Sequence, residues 1–168
     1  MLKPVNLYSL VAMGSQYVVV LEEMDGPRLI PIWIGPSEGN SIAMYLNRIQ
    51  LPRPMTHDLF KSFANNFHFT VEEIVISDLK EGVFFAKIVC SDGLKKSEID
   101  ARPSDAIAIG LRFDSPIYTY ENILAEAGIV LTDEAEEEKA EPKTEAKVRA
   151  KKETVRKDDF KNYSVEKL

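Results

Sequence analysis

Apolar and polar positions alternate from the first residues of the chain. Residues 5–13 (VNLYSLVAM) and 17–23 (YVVVLEE) read as two strands joined through Gly14-Ser15. Tyr17 to Leu21 is continuously apolar, which predicts a strand covered on both faces. Asp25-Gly26-Pro27 signals a turn into a third run, 28–34 (RLIPIWI). Pro31 cannot donate to a ladder, so this strand belongs at an edge or a bulge. Further strands are expected at 69–79 and 83–91, linked by Lys80-Glu81-Gly82. Asp92-Gly93 is a hairpin signal leading to another strand at 94–101, and a short one follows at 117–120.

The helical period appears between these runs. Gly35-Pro36-Ser37 opens a helix over roughly 37–49, with Ile42, Tyr45, Leu46 and Ile49 on one face and Glu38 on that face in the first turn. After the kinked Leu51-Pro52-Arg53-Pro54, a second helix is expected at about 57–67. Thr56 is its natural N-cap, and Leu59, Phe60, Phe63 and Phe67 are its buried stripe. Pro103 and Ser104 begin a third helix whose 106–111 segment (AIAIGL) is apolar nearly all round, so it lies between layers with Gly110 permitting close approach. A small helix at 121–127 closes at Gly128. Strand runs with isolated helices and no regular βαβ repeat predict an α+β fold: a mixed, largely antiparallel sheet with three or four helices in a single compact domain.

The pattern stops at Leu131. Of the residues from Asp133 to Glu141 six are acidic, and 143–157 then hold seven basic residues against two acidic. Domain boundaries are therefore expected at 1–131 and 132–168, the second being a charged tail, disordered or marginally helical, or a basic arm for nucleic acid or an acidic partner. Of the formal charge of −6, the first part carries −5, from 11 basic and 16 acidic residues. An acidic domain argues against tight nonspecific binding to a phosphate backbone, which needs clustered Lys and Arg. It leaves room for a metal-using nuclease, whose acidic ligands add negative charge. No run of eighteen apolar residues offers a membrane span, and no apolar leader block is seen at the N-terminus, so a cytoplasmic location is expected. The single Cys90 sits in a strand-like run and reads as a buried thiol.

Two segments concentrate polar residues beside prolines: Pro52-Arg53-Pro54-Met55-Thr56-His57-Asp58 and Asp100-Ala101-Arg102-Pro103-Ser104-Asp105. Each has an Arg before a Pro, then a hydroxyl residue, then an acid at a helix start. With Glu38 they place three acids in the first turns of three helices. A structural account explains much of this: first-turn acids complement the helix dipole by about 0.3–1 kcal/mol each. On that account Thr56 and Ser104 cap, the prolines stiffen the helix starts, and the arginines pair with nearby carboxylates. A functional account starts from phosphodiester cleavage, which calls for carboxylate oxygens around a divalent metal, a cation for the phosphorane charge and a base. Glu38, Asp58 and Asp105 supply the oxygens for Mg²⁺ or Mn²⁺, Arg53 and Arg102 the cations, and His57 the base. His57 and His68 are the only histidines, which argues against a multi-histidine cage or a two-histidine ribonuclease. Glycine-rich phosphate loops, paired CxxC motifs and nucleophile elbows are missing from the sequence.

Residues 31–38 (PIWIGPSE), 52–59 (PRPMTHDL) and 100–109 (DARPSDAIAI) resemble, in order and spacing, the three signature blocks of the bifunctional nuclease (DNase/RNase) family. The resemblance spans roughly 1–131. It implies an α+β domain, self-association as a homodimer or larger homo-oligomer, and nuclease activity on DNA and RNA with low sequence specificity. It also implies a site around Glu38, Arg53, His57, Asp58, Arg102, Ser104 and Asp105. Some bacterial relatives carry a helical hairpin shared with excision-repair proteins after this domain, whose apolar pattern the tail here lacks. The alternative is a non-catalytic self-associating or regulatory module, in which Trp33, Pro52 and Pro54 are contact residues and the acids are caps.

Overall fold

The computed structural model describes residues 1–130; the 131 boundary and the expected tail at 132–168 lie outside the described residues. In chain order the elements are β1 (Leu2–Met13), β2 (Gln16–Glu23), β3 (Arg28–Ile34), α1 (Pro36–Leu46), α2 (Thr56–Asn66), β4 (Thr70–Lys80), β5 (Val83–Ser91), β6 (Lys96–Ala101), α3 (Pro103–Phe113), β7 (Ile117–Tyr120), α4 (Glu121–Ala127) and β8 (Ile129–Val130). The strands form one sheet in the order β6-β5-β4-β7-β1-β2-β3-β8. Every neighbouring pair is antiparallel except β4 and β7, which run parallel. This is the α+β, largely antiparallel architecture that the alternation predicts. The pair β8 went unforeseen because two residues carry no period. β3 behaves as its proline requires: β8 pairs only with Arg28 and Leu29, leaving the outer edge open from Ile30 onward, where Pro31 sits.

The main core lies between the sheet and α3. Val19, Leu21, Ile30, Ile74, Ile76 and Ile107 are all essentially sealed from solvent, each contributing roughly 1.5–3 kcal/mol by burial. α3 packs on β4 and β5, and α1 and α2 both pack on α3. Gly110 is what lets α3 come so close, because a Cβ there would stand 2.5 Å from Ile74 Cγ1. Gly39 does the same for α1, where a Cβ would overlap the Tyr17 ring. Val18 and Val20 point the opposite way from Val19 and Leu21 and are buried in a second, smaller cluster with Val11 and Leu29.

Three expectations are corrected. α1 stops at Leu46 rather than 49: the Arg48 amide bonds to the Tyr45 carbonyl and the Ile49 amide to Met44, with Arg48 in the left-handed region at φ 55°. This is a Schellman ending. Ile49 falls outside the helix and is exposed, and Ile42 alone of the expected face is fully buried. On α2 the stripe is turned around. Leu59, Phe63 and Phe67 are 59%, 52% and 65% exposed, whereas His57 and Ala64 are buried and Phe60 packs against the core. Polar contacts of His57 and Asp58 fix the rotation of this helix, and they override its apolar count. Finally, Thr56 and Ser104 do not cap. Each lies inside the helix, and the N-cap positions fall on Met55 and Arg102.

One ion-pair cluster outside the core fastens the sheet edge. Arg28 donates to both oxygens of the buried Glu23 at 2.7 and 2.8 Å and to both oxygens of Glu121 at 2.7 and 3.1 Å. The β2–β3 turn is thereby tied to the start of α4, and the hydrogen bonds from Arg28 hold the Glu23 carboxyl below its usual range. Arg28→Ala leaves that buried carboxylate only Lys3 Nζ, 3.9 Å from its Oε1, and is expected to cost about 1–3 kcal/mol. The measurement is a lowered urea midpoint at unchanged slope.

Candidate active site

The starts of α1 and α3 meet. Pro36 and Pro103 occupy the first turns, where a missing N–H costs nothing, and Arg102 precedes α3 in an extended conformation. From there its guanidinium reaches Glu38 Oε1 at 2.6 Å through one terminal nitrogen and Asp105 Oδ2 at 2.7 Å through Nε. The other oxygen of Asp105 lies 3.1 Å from His57 Nε2, at the start of α2. His57 Nδ1 lies 2.9 Å from Ser41 Oγ, one turn into α1. Ser41 in turn accepts a 3.0 Å hydrogen bond from Arg112, which ends α3. Arg112 also donates to Asp58 Oδ1 at 2.5 Å and to the Ala108 carbonyl at 2.8 Å. The result is one chain of polar contacts: Glu38, Arg102, Asp105, His57, Ser41, Arg112, Asp58.

The donors in this chain determine its protons. A guanidinium only donates, so Ser41 Oγ accepts from Arg112. The Asp105 carboxylate only accepts, so the nitrogen facing it, His57 Nε2, carries a proton and donates it to Asp105. Ser41 is 1% exposed, so this Asp–His–Ser sequence is an orienting device and not a nucleophile presented to substrate. Solvent reaches the other end: the Arg102 side chain is 67% exposed and that of Asp105 28%.

The expected site residues divide accordingly. Glu38, His57, Arg102 and Asp105 are brought into direct contact. Asp58 is not with them: its two oxygens are taken by Arg112 and by the Met55 amide at 3.0 Å. Arg112 lies seven residues beyond Asp105 on α3, roughly 10 Å along the axis. Ser104 is buried at the second position of α3. Arg53, on the α1–α2 loop, makes no ion pair among the described residues and lines a separate cleft. The three acids expected to share a metal are thus apportioned to two guanidinium groups. Among the described residues, no group of three or more His, Cys, Asp and Glu side chains is placed to hold an ion. As arranged, Glu38, Asp58 and Asp105 do not fit a common Mg²⁺ or Mn²⁺ site.

Ser41 and Arg112 escaped the sequence reading. Arg112 is 3% exposed, stacks over the Tyr45 ring at 5.3 Å and accepts at its carbonyl from Lys61 Nζ. Its signal was present: an Arg closing an apolar helix, on the same face as Asp105 two turns earlier. Two clefts flank the chain. One, of about 780 Å³, lies between the end of α1 and the start of α2 and has Asp58 and Arg112 in its wall. The other, of about 340 Å³, is lined by Trp33, Arg102, Pro103 and Ser104 together with the β4–β5 turn.

Burial would raise the carboxyls of Asp105 and Asp58, and it is outweighed in both. Hydrogen bonds and attraction from Arg102 and His57 hold Asp105 below its ordinary 3.8, and Arg112 and the Met55 amide do the same for Asp58. Hydrogen bonds to Asp105 and Glu38 raise Arg102.

Two predictions follow from the geometry. Because both aspartates are depressed in the folded state, their stabilisation is complete above pH 3.8 and is lost as pH falls below it. Acid unfolding monitored by circular dichroism is therefore expected to begin below about pH 4, and Asp105→Asn is expected to flatten that limb. Nitrogen-15 NMR of the two histidines is expected to show His57 as the Nε2–H tautomer in the parent. Asp105→Ala should remove that preference while leaving His68 unchanged.

A family model for the bifunctional nuclease domain matches residues 19–132. A protein of Mycobacterium tuberculosis, known in two strains and described as uncharacterized, is 41% identical over 150 residues, covering 88% of this chain and 90% of its own length. Bifunctional nuclease 1 of Oryza sativa and the bifunctional nuclease of Oryza minuta are each 23% identical over 120 residues, which is 69% of this chain but 36% of those proteins. The matched span takes in all three segments whose side chains make the polar chain from Glu38 to Asp58, and the protein belongs to the bifunctional nuclease domain family.

Proposed function

We propose that the domain is a nuclease that hydrolyses phosphodiester bonds of DNA and RNA with low sequence specificity. The observation that carries this reading is the exposed Arg102 guanidinium, held between Glu38 and Asp105, with His57 behind Asp105. A guanidinium held at the surface beside a carboxylate can exchange that partner for phosphate oxygens, which it binds in the same forked geometry. When Arg102 turns toward a phosphate, Asp105 loses one of the partners that depress it and becomes a stronger base. A water bonded to Asp105 then gives up its proton as its oxygen attacks phosphorus. The P–O bond to the leaving nucleoside breaks, and that oxygen takes a proton from solvent. Water as nucleophile needs no 2′-hydroxyl, which suits both DNA and RNA. A two-histidine cyclising mechanism finds no support, since His68 follows α2, roughly 16 Å from His57 along the helix. Mg²⁺ or Mn²⁺, expected from the sequence, would have to displace Arg102 to gain the oxygens of Glu38 and Asp105.

A second reading, a non-catalytic self-associating or regulatory module, draws on the outward row of Leu59, Phe63 and Phe67, with Phe63 and Phe67 rings 4.5 Å apart. The same row fits a homodimer of the nuclease. No helix among the described residues is long and apolar enough to cross a membrane, and we place the activity in the cytoplasm, where the buried Cys90 thiol stays reduced.

Arg102→Ala and Asp105→Ala are each expected to lower cleavage of a single-stranded substrate by about 10²-fold or more, with circular dichroism spectra matching the parent's and, for Asp105→Ala, a lowered thermal midpoint at neutral pH. Each variant is assayed with EDTA, with Mg²⁺ and with Mn²⁺. Parent-level cleavage by both repurified variants would overturn the assignment. Loss of all activity from the parent on repurification would favour the module.

A further inference from the structure

The described domain contains five arginines, and three of them are matched to carboxylates: Arg28 to Glu23 and Glu121, Arg102 to Glu38 and Asp105, Arg112 to Asp58. The remaining two, Arg48 and Arg53, make no ion pair among the described residues, and both line the same cleft of about 780 Å³. The carboxylate in that lining is Asp58, and both its oxygens are already occupied. In a domain of net charge −5, the two uncompensated guanidiniums are thus gathered in one concavity. The rest of the wall is mainly apolar, including Leu51, Pro54 and Met55. The volume lies in the range of small-molecule sites. Arg112, in the same wall, touches Ser41 and through it His57, so the cleft adjoins the proposed reaction centre.

We propose that this cleft binds one unpaired nucleotide of a single strand, its phosphate between Arg48 and Arg53 and its base against the apolar wall. This deepens the nuclease reading and rests on it. A cation pair beside an apolar surface matches a group that is anionic at one end and flat and apolar at the other. A base can enter a concavity only when it is out of the stack, so a duplex, which must first unstack and unpair it, binds more weakly than a single strand. The cleft supplies locally the positive charge that the acidic domain lacks overall.

The test uses the full chain and a fluorescein-labelled phosphorothioate oligothymidylate of eight residues, with binding followed by anisotropy over a series of salt concentrations. The variant is Arg48→Asn with Arg53→Ala; asparagine tolerates the left-handed backbone at position 48. Both residues are surface-exposed, and Arg53→Ala alone serves if the double variant folds poorly. The double variant is expected to bind at least tenfold more weakly at low salt. Its slope of log K against log salt should fall by about 0.7, since the one phosphate held between the two arginines contributes about 0.7 on a single strand. A duplex of equal length should bind at least tenfold more weakly than the single strand. Unchanged affinity and slope in the variants, duplex binding as tight as single-strand binding, or full competition by polyglutamate at equal charge would each overturn the proposal. Cleavage is assayed in parallel on the phosphodiester oligomer. Binding lost in the variant while no preparation cleaves leaves the cleft standing and removes the nuclease reading. Cleavage by the parent with unaltered binding in the variant does the reverse.

Discussion

The buried guanidinium of Arg112 is the constraint on which the rest of the site depends. A charge removed from water must find partners for its donors or be expelled. Arg112 finds them on three helices: Asp58 on α2, the Ser41 hydroxyl on α1 and the Ala108 carbonyl on its own helix. Satisfying that one group therefore sets how α1 and α2 sit on α3. It also sets the rotation of α2, which carries His57 and Asp58 inward and leaves Leu59, Phe63 and Phe67 outside.

From Arg112 the order propagates by hydrogen-bond logic. Arg112 donates to Ser41, Ser41 bonds to the imidazole of His57, and His57 donates to Asp105 from behind. Asp105 and Glu38 then hold Arg102, which meets solvent. The network is buried at its middle, at His57, Ser41 and Arg112, and meets solvent at Arg102 and at Asp58, so its rigidity is produced inside the domain and used at the surface. Asp105 and Asp58 both remain depressed despite their partial burial, Arg102 and Arg112 outweighing desolvation at these two carboxylates.

The acids illustrate why residue type alone under-determines chemistry. Three carboxylates at three helix starts suit a metal site, and they suit equally well two arginines that need pairing. The choice between these depends on where a fourth side chain points. Here Arg112 takes Asp58 and Arg102 takes the other two. Their separation of two helical turns on α3 leaves the carboxylates divided between two arginines. The arginines show the converse: Arg48 and Arg53 stand out because the remaining three are spoken for.

Alternation and turn residues by themselves determined the α+β class, the order of the long elements and the buried character of α3, because period and backbone chemistry are local properties. Pro31 on an open edge and Gly110 against Ile74 were legible for the same reason. So were the three polar segments of the site, from their prolines and first-turn acids. Only the tertiary structure decided the end of α1, the inward face of α2, the pairing of Asp58 with Arg112 and the roles of Ser41 and Arg112. The end of α1 is set by a Schellman ending that a non-glycine residue, Arg48, adopts; each of the others turns on a contact between residues 16 to 71 positions apart or on competition between an apolar stripe and a polar bond. In α2 three exposed aromatic and aliphatic side chains were outweighed by two polar ones, since leaving a buried charge unpaired costs more than leaving a phenyl ring in water.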